Sequence, residues 1–349
     1  MVIYTVNLSG ITGMIEIFES VIWNVQAFGL NDFQLIVPYS EEINTMLQPG
    51  VMLVRETDYR FNNIRNVMII ENRRITFDIE KGWRLEVSGR GLKSIIGRRI
   101  VWAQRVFENM SVEGVIDYLL DENCINPTDS NRAFPNLRNN VPRLTDLVTA
   151  QIPAGTNLAE YFCELFREYG LVWDILIFGN QMWFTVTRTA DHTQGTARPV
   201  VFSEEYENIA SMEYDHEATE YFNAALIGGE GEGTSQVVVG IGTASGLDRY
   251  EGYIDGGSVS SNGEIITLET YKEMLRTYGR EQMNAAQYTD KISGELILND
   301  QFVFGTDYNL GDKVTVKFKG ESITTRIIEM IYSEDANGFT WLPTFDWEV

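Results

Sequence analysis

The chain has 349 residues, 44% of them apolar, which is enough for two or three separately cored domains and excludes long disordered tracts. Fifty acidic against 27 basic residues give a net charge of −23, which excludes binding to a nucleic-acid backbone by counterion release and sets the chain against anionic lipid. Cys124 and Cys163 stand far apart without CxxC spacing, which excludes a disulfide framework and fits synthesis in a reducing compartment. The opening MVIYTVNLSG has neither a basic stretch nor a long apolar one, so it does not read as a signal peptide. No apolar run approaches the roughly 20 residues of a membrane helix, and even LVWDILIF is broken by Asp174.

Residues 1–92 read as short strands: Val2–Asn7, Met14–Phe18, Phe33–Val37 with a stop at Pro38, Val51–Arg55, Val67–Ile70, Arg74–Ile79 and Arg84–Val87. Gly, Asn and Lys-Gly turns between them point to an antiparallel barrel or sandwich. The period then changes. Val112, Val115, Ile116, Leu119 and Leu120 share one helical face behind Ser111, a fitting N-cap. Residues 126–142 read as a polar loop. Thr156 is expected to cap a second helix with the stripe Leu158, Tyr161, Phe162, Leu165, Phe166 and Tyr169, and Gly170 fits the position just past its end. Leu171–Phe178 and Met182–Arg188, joined by Gly179-Asn180, form a hairpin signal. Strands return at Val200–Phe202, Ser211–Tyr214, Phe222–Ile227 and Gln236–Ile241. Residues 267–288 read as one helix in which Gly279 is a weak point. The remainder reads as strands: Ile292–Leu298, Lys313–Phe318, Ser322–Tyr332 and Phe339–Val349.

Several segments imitate chemistry without meeting its requirements. QVVVGIGTASG, residues 236–246, has a strand and the glycines of a dinucleotide loop, but LDRYEGYIDGG follows where a helix must hold the pyrophosphate. Asp215-His216-Glu217 cannot easily converge on one metal, because neighbouring strand residues face opposite ways. His192, the other histidine, lies in a polar loop, so a zinc site is not expected. Glu230 and Glu232 alternate with glycines, a poor frame for a fixed acid pair. No nucleophile elbow is present. The expectations are therefore no catalytic residue, no cofactor and no metal.

Three segments stand out by their order. Ser20–Pro38 contains Trp23 and the run FGLNDFQLIVP. Ser88–Val101, SGRGLKSIIGRRIV, carries a turn at Gly89 and Gly91, then Leu92 and the basic pair Arg98 and Arg99. Residues 228–233 read GGEGEG, with Gly229, Glu230, Gly231, Glu232 and Gly233. This order resembles the hub proteins at the tail tip of long-tailed bacteriophages, the central baseplate hub and Tal-type tail-associated proteins. The likeness spans nearly the whole chain. Tyr308–Val316, YNLGDKVTV, is similar to a turn-plus-strand segment of the second hub barrel, with Gly311 and Asp312 making the turn. Thr234-Ser235-Gln236 stands where members often carry a basic residue.

The resemblance implies an α+β, mainly β chain: two tail-tube-like antiparallel β-barrels with an inserted α/β domain and a connecting helix. The expected division is a first hub barrel over 1–104, an α/β insertion over 105–198, strands and a Gly-rich connection over 199–266, a helix over 267–291 and a second barrel over 292–349. It further implies a structural virion protein at the tail tip, assembled in the host bacterial cytoplasm, which closes the distal tube and opens for tape-measure protein and DNA. The implied partners are two further copies in a homotrimer, the distal tail protein ring, the tape-measure protein and receptor-binding or fibre proteins; DNA passes without being bound, and no membrane is spanned. Many relatives carry a C-terminal extension, whereas this chain ends at Trp347-Glu348-Val349 straight after strands and reads as the hub alone. Siphophage, contractile-tail and bacteriocin versions remain open. The alternative from a different class is a β-rich carbohydrate-active enzyme or cell-wall-binding module.

Overall fold

The computed structural model describes every residue except 61, 62, 232, 258, 260–266, 298–300, 348 and 349. It divides into one unit formed by Met1–Glu213 with Ile292–Val349 and a second formed by Tyr214–Lys291. The chain crosses between them on two strands, Ile209–Glu217 and Thr289–Leu296.

The first unit is built on a large sheet whose middle strand is Ser20–Gln26. On one side it pairs antiparallel with Asp32–Pro38, Trp23 opposite Phe33; on the other with Glu321–Asp335, Trp23 opposite Tyr332. Beyond Asp32–Pro38 the order runs through Gly82–Gly91, Met68–Asp78, Met52–Arg55 and Ile3–Asn7 to the edge strand Gly10–Ile15. Beyond Glu321–Asp335 it runs through Gly338–Trp347 and Thr289–Leu296 to Ile209–Glu217, with Lys313–Phe318 and Val201–Phe202 branching off. The fold is thus α+β and mainly β, as expected. The early and late strands share one sheet, and among the described residues no strand pairing closes either part into a barrel. They also share a core, in which Ile3, Trp23, Leu35 and Val87 meet Val314, Ile327, Met330 and Phe345.

Two-residue alternation drives the outer strands: Asp32–Pro38 buries Phe33, Leu35 and Val37 and turns the residues between them outward. Ser20–Gln26 escapes that pattern because Asn24 is buried as well; its amide donates to Asp32 at 2.9 Å and to Glu329 at 2.7 Å. The expected strands 67–70 and 74–79 are one strand, Met68–Asp78, with a register shift between Ile70 and Asn72 where the sequence reads as a break. The strand expected at Met14–Phe18 lies earlier, at Gly10–Ile15.

A second core of the same unit gathers the helices Val112–Leu120 and Leu158–Glu168 and the hairpin Leu171–Phe178 and Gln181–Arg188. Phe162, Phe166, Trp173 and Phe184 pack there with ring centroids 5.3–6.3 Å apart. Ser111 caps the first helix through the Gly114 N–H, and the five residues of the anticipated stripe are its buried ones. The second helix is capped by Asn157, which accepts from Ala159 and Glu160, while the Thr156 hydroxyl donates back to Pro153. Gly170 and the hairpin pair Gly179-Asn180 take positive φ, as such positions demand. The stretch 126–142 holds a strand, Leu137–Asn140, parallel to Gln181–Arg188.

The second unit packs the helix Leu268–Ala285, capped by Thr267, on a three-stranded sheet of Val238–Ile241, Ala224–Gly228 and Glu251–Asp255. Ile227, Ile241, Ile254, Tyr271 and Leu275 form its core. Gly279 is a contact point in that packing: a Cβ there would come within 2.6 Å of Ile227. A strand, Glu251–Asp255, follows the glycines of 236–246, and among the described residues no α-helix begins between Gly246 and Thr267.

Candidate functional site

The structure spreads the motif residues over three places. The first is the segment Gly82–Arg98. Here the expected turn does not form: the strand runs straight through Gly89 to Gly91, and a 3₁₀ helix, Leu92–Arg98, follows. Both glycines are required for space. A Cβ at Gly89 would overlap the Ile69 carbonyl oxygen, and one at Gly91 would stand 2.7 Å from that of Leu30, to which the Gly91 N–H donates. Leu92, Ile95 and Ile96 are buried in the α/β core. Arg98 is exposed. Arg99 instead ties down the polar stretch that follows: its Nε donates to the Arg132 carbonyl at 2.6 Å and its guanidinium lies 4.0 Å over the Phe134 ring.

Trp23 belongs to the sheet core, 5.6 Å from the Phe33 ring. Its other neighbour is a buried cation. The Arg55 guanidinium lies within 5.8 Å of the rings of Trp23, Tyr332 and Trp341 and is paired with Asp58 at 2.6 Å. Lys93 is a second buried cation. Its Nζ donates to the Gln26 carbonyl at 2.8 Å and sits 5.5 Å from the Trp173 ring. Burial pushes its ammonium down to about 8, and the negative charge of Asp174 resists that fall. Burial also raises the Asp174 carboxyl. Neither cation was singled out from sequence, where both read as ordinary polar positions beside strand residues.

The second place is the turn Asn309–Asp312. Gly311 takes φ +82°, its N–H donates to Ile327 and its carbonyl accepts from Arg326 at 2.7 Å. Asp312 is buried; one carboxylate oxygen accepts from the Ala190 N–H at 2.7 Å and the other from the Asn309 N–H at 2.8 Å. The His192 ring nitrogen Nε2 lies 3.6 Å from it. Asp312 therefore fastens the end of the α/β hairpin to the late strands.

The third place, in the second unit, is Gly228–Gly233. A Cβ on Gly229 would meet Leu275 at 2.6 Å and the Tyr271 hydroxyl at 2.7 Å, and that hydroxyl accepts from the Glu230 N–H at 2.8 Å. Gly231 and Gly233 have φ +99° and +56°. Glu230 is exposed, and Glu232 lies outside the described residues. Also in this unit, His216 Nδ1 and the Tyr214 hydroxyl both lie 2.7 Å from one oxygen of Asp290.

The motif residues thus do not converge on one reactive centre. Trp23, Gly89, Gly91, Leu92, Arg99, Gly229, Gly311 and Asp312 hold strands, helices and loops in contact. The comparisons fit that geometry. The 43 kDa tail protein of prophage MuSo2 from Shewanella oneidensis is 15% identical, with a TM-score of 0.59 over 99% of this chain and 97% of that one. The tail protein from Neisseria meningitidis MC58 is 12% identical, again with a TM-score of 0.59, over 99% and 96% of the two chains. At such identities the likeness is one of fold. No curated protein matches the chain. A family model described as Siphovirus ReqiPepy6 Gp37-like protein matches residues 3–345, and with that span the chain belongs to this siphovirus family.

Proposed function

We propose that the chain is a structural protein of a phage tail and, within it, the hub of the tail tip. The carrying observation is the family match over residues 3–345; the fold common to two prophage tail proteins supports it. In this reading three copies surround the tail axis. Each contributes two β regions, so six face a hexameric tail ring while the tip keeps threefold symmetry. The assembly closes the distal tube, docks the distal tail ring and receptor-binding parts, and opens for tape-measure protein and DNA. It works by contacts and not by turnover: the purified protein is expected to release no sugar from peptidoglycan. The surplus of acidic residues suits a channel that DNA must slide through, since each Lys or Arg contact to a phosphate would add a salt-dependent drag. Acidic side chains are therefore expected to crowd the axis-facing wall.

The test is to locate the protein in the particle. Gold-labelled antibody against this chain should mark the distal end of purified tails, and a reconstruction of that end should place three copies around the axis. Label along the shaft, or two or six copies at the tip, would overturn the hub.

A further inference from the structure

The basic pair Arg98 and Arg99 belongs to a patch that runs against the charge of the whole chain. Residues 97–106 and 126–143 together carry six arginines and one acidic residue, Asp129, in a chain with 50 acidic against 27 basic residues. Two of the arginines clasp these segments to each other. Arg99 Nε donates to the Arg132 carbonyl at 2.6 Å, and Arg132 Nη2 donates to the Ile100 carbonyl at 2.7 Å. Each guanidinium also lies over a ring, Arg99 at 4.0 Å from that of Phe134 and Arg132 at 4.1 Å from that of Trp102. The clasp thus holds two cations in fixed places, and Arg98, which is exposed, adds a third.

Among the described residues, none of Arg98, Arg99 and Arg132 forms an ion pair. The carboxylates of the neighbourhood are engaged elsewhere. Asp129 accepts from the Asn131 N–H and side-chain amide, Glu122 is bound by Arg105, and both Glu71 oxygens are held by Arg90 at 2.8 Å. Burial lowers the Arg99 guanidinium most; the Cys124 thiol opposes that, and the Arg132 and Arg98 charges add to it. Like charges gathered without relief are costly, and an anion is what would offset them. The clasp leaves donors for one: Arg98 hydrogen-bonds to no described residue, and neither does Arg99 Nη2 or Arg132 Nη1. The guanidinium fork matches a carboxylate or a phosphate. Beside these donors lies apolar surface, with Trp102 57% and Ile100 44% exposed. A nucleic acid would bring a run of charge against a chain of net charge −23 and would make no use of Ile100. A peptide with a few carboxylates next to a large apolar side chain meets both parts of the patch, and Arg and Trp are the side chains that dominate protein–protein contacts.

We infer that Arg98, Arg99, Ile100, Trp102 and Arg132 form a docking site for an acidic peptide segment of another protein. Its carboxylates sit on the three guanidiniums, and an apolar side chain packs against Trp102 and Ile100. The inference goes beyond the hub reading and does not depend on it.

The test uses the full-length chain with fluorotryptophan in place of tryptophan, the Trp102 fluorine resonance being the one lost in Trp102→Phe. The probe is a short peptide repeating Glu-Glu-Leu; the comparisons are its Gln-Gln-Leu counterpart, pyrophosphate and duplex DNA. The acidic peptide should shift the Trp102 resonance, and more salt should weaken its binding. Replacing its glutamates by glutamine should weaken binding about tenfold, as should Arg98→Glu in the protein. Arg98 makes no hydrogen bond, so this variant should keep the parental fold, checked by circular dichroism; Ile100→Glu should weaken binding similarly from the apolar side. A Trp102 resonance that the acidic peptide leaves in place would overturn the site, as would equal binding of the glutamine peptide or parental affinity in both variants. So would pyrophosphate or DNA that binds at Trp102 and is not displaced by the peptide, which would make the ligand a phosphate. Self-association lost in Arg98→Glu without any peptide binding would give the patch to a second copy instead. None of these titrations bears on the hub, which rests on where the chain lies in the tail and how many copies surround the axis.

Discussion

Two glycine-bearing segments, Gly89–Gly91 and Gly229–Gly233, look alike in sequence and use the missing side chain differently. In the first, neither glycine has a positive φ; each clears room for a carbonyl of a neighbouring strand or loop. In the second, Gly229 clears room for the side-chain ends of Tyr271 and Leu275, Gly231 combines positive φ with close approach of the Ser235 carbonyl, and Gly233 supplies left-handed backbone alone. Glycine in a sequence thus announces that a Cβ is absent without saying whether space or torsion required it. The consequences differ, because a rigid backbone cannot retreat and a side chain can.

Substitution separates the cases. Gly89→Ala drives a methyl into the Ile69 carbonyl at the heart of the large sheet. It is expected to cost at least about 3 kcal/mol and leave most of the protein insoluble, as read from the soluble fraction and its urea midpoint. A Gly89→Ala chain with the parental midpoint would break the comparison. Gly229→Ala presses on the packed ends of the Leu275 and Tyr271 side chains and should cost about 1–3 kcal/mol, confined to the second unit. Hydrogen exchange should show the loss in the helix Leu268–Ala285 and not in the large sheet.

Lys93, two residues beyond the first segment, sharpens the contrast through pH. Its ammonium, near 8 in the folded chain against 10.5 ordinarily, binds its proton less tightly when folded. The unfolded chain therefore holds more protons between those values, so the cost of burying Lys93 is full below about pH 8 and is relieved as pH rises toward 10.5. Between about pH 7.5 and 9.5 the wild type should gain about 1–2 kcal/mol relative to Lys93→Met. A constant difference between the two proteins would mean the amine titrates as a solvated one. The smallest effect belongs to Gly233→Ala: φ is +56° but the space is open, so a loss of about 1 kcal/mol in thermal denaturation is expected.

What the sequence disclosed follows the range of the interactions. Helix Val112–Leu120, its Ser111 cap and the Gly179-Asn180 hairpin rest on neighbours within a few residues, and all three were readable. Ser20–Gln26 was not: its buried Asn24 breaks the alternation, and the Glu329 that satisfies it lies 305 residues away. The same distance hides the union of the early and late strands in one sheet, since no local pattern fixes a register between Trp23 and Tyr332. Asp312 could be named as a turn residue, but its role as a fastening for Ala190, across 122 residues, appears only in three dimensions. Lys93 and Arg55 are legible as charges and not as buried ones, because burial is decided by the aromatic rings that distant strands bring over them.

The shared Asp290 contact bears on how such a chain can be re-engineered. Tyr214 and Asp290 are close to the first and last residues of the second unit, and they touch at 2.7 Å. A segment that begins and ends at the same spot is a cassette: it can be lifted out and the gap closed by a short turn with little stretching of the backbone. Replacing residues 214–291 with a few glycine and serine residues should therefore leave a shortened chain that still folds. The same junction should accept a foreign module of comparable span, which makes it a place for a designer to graft a new one.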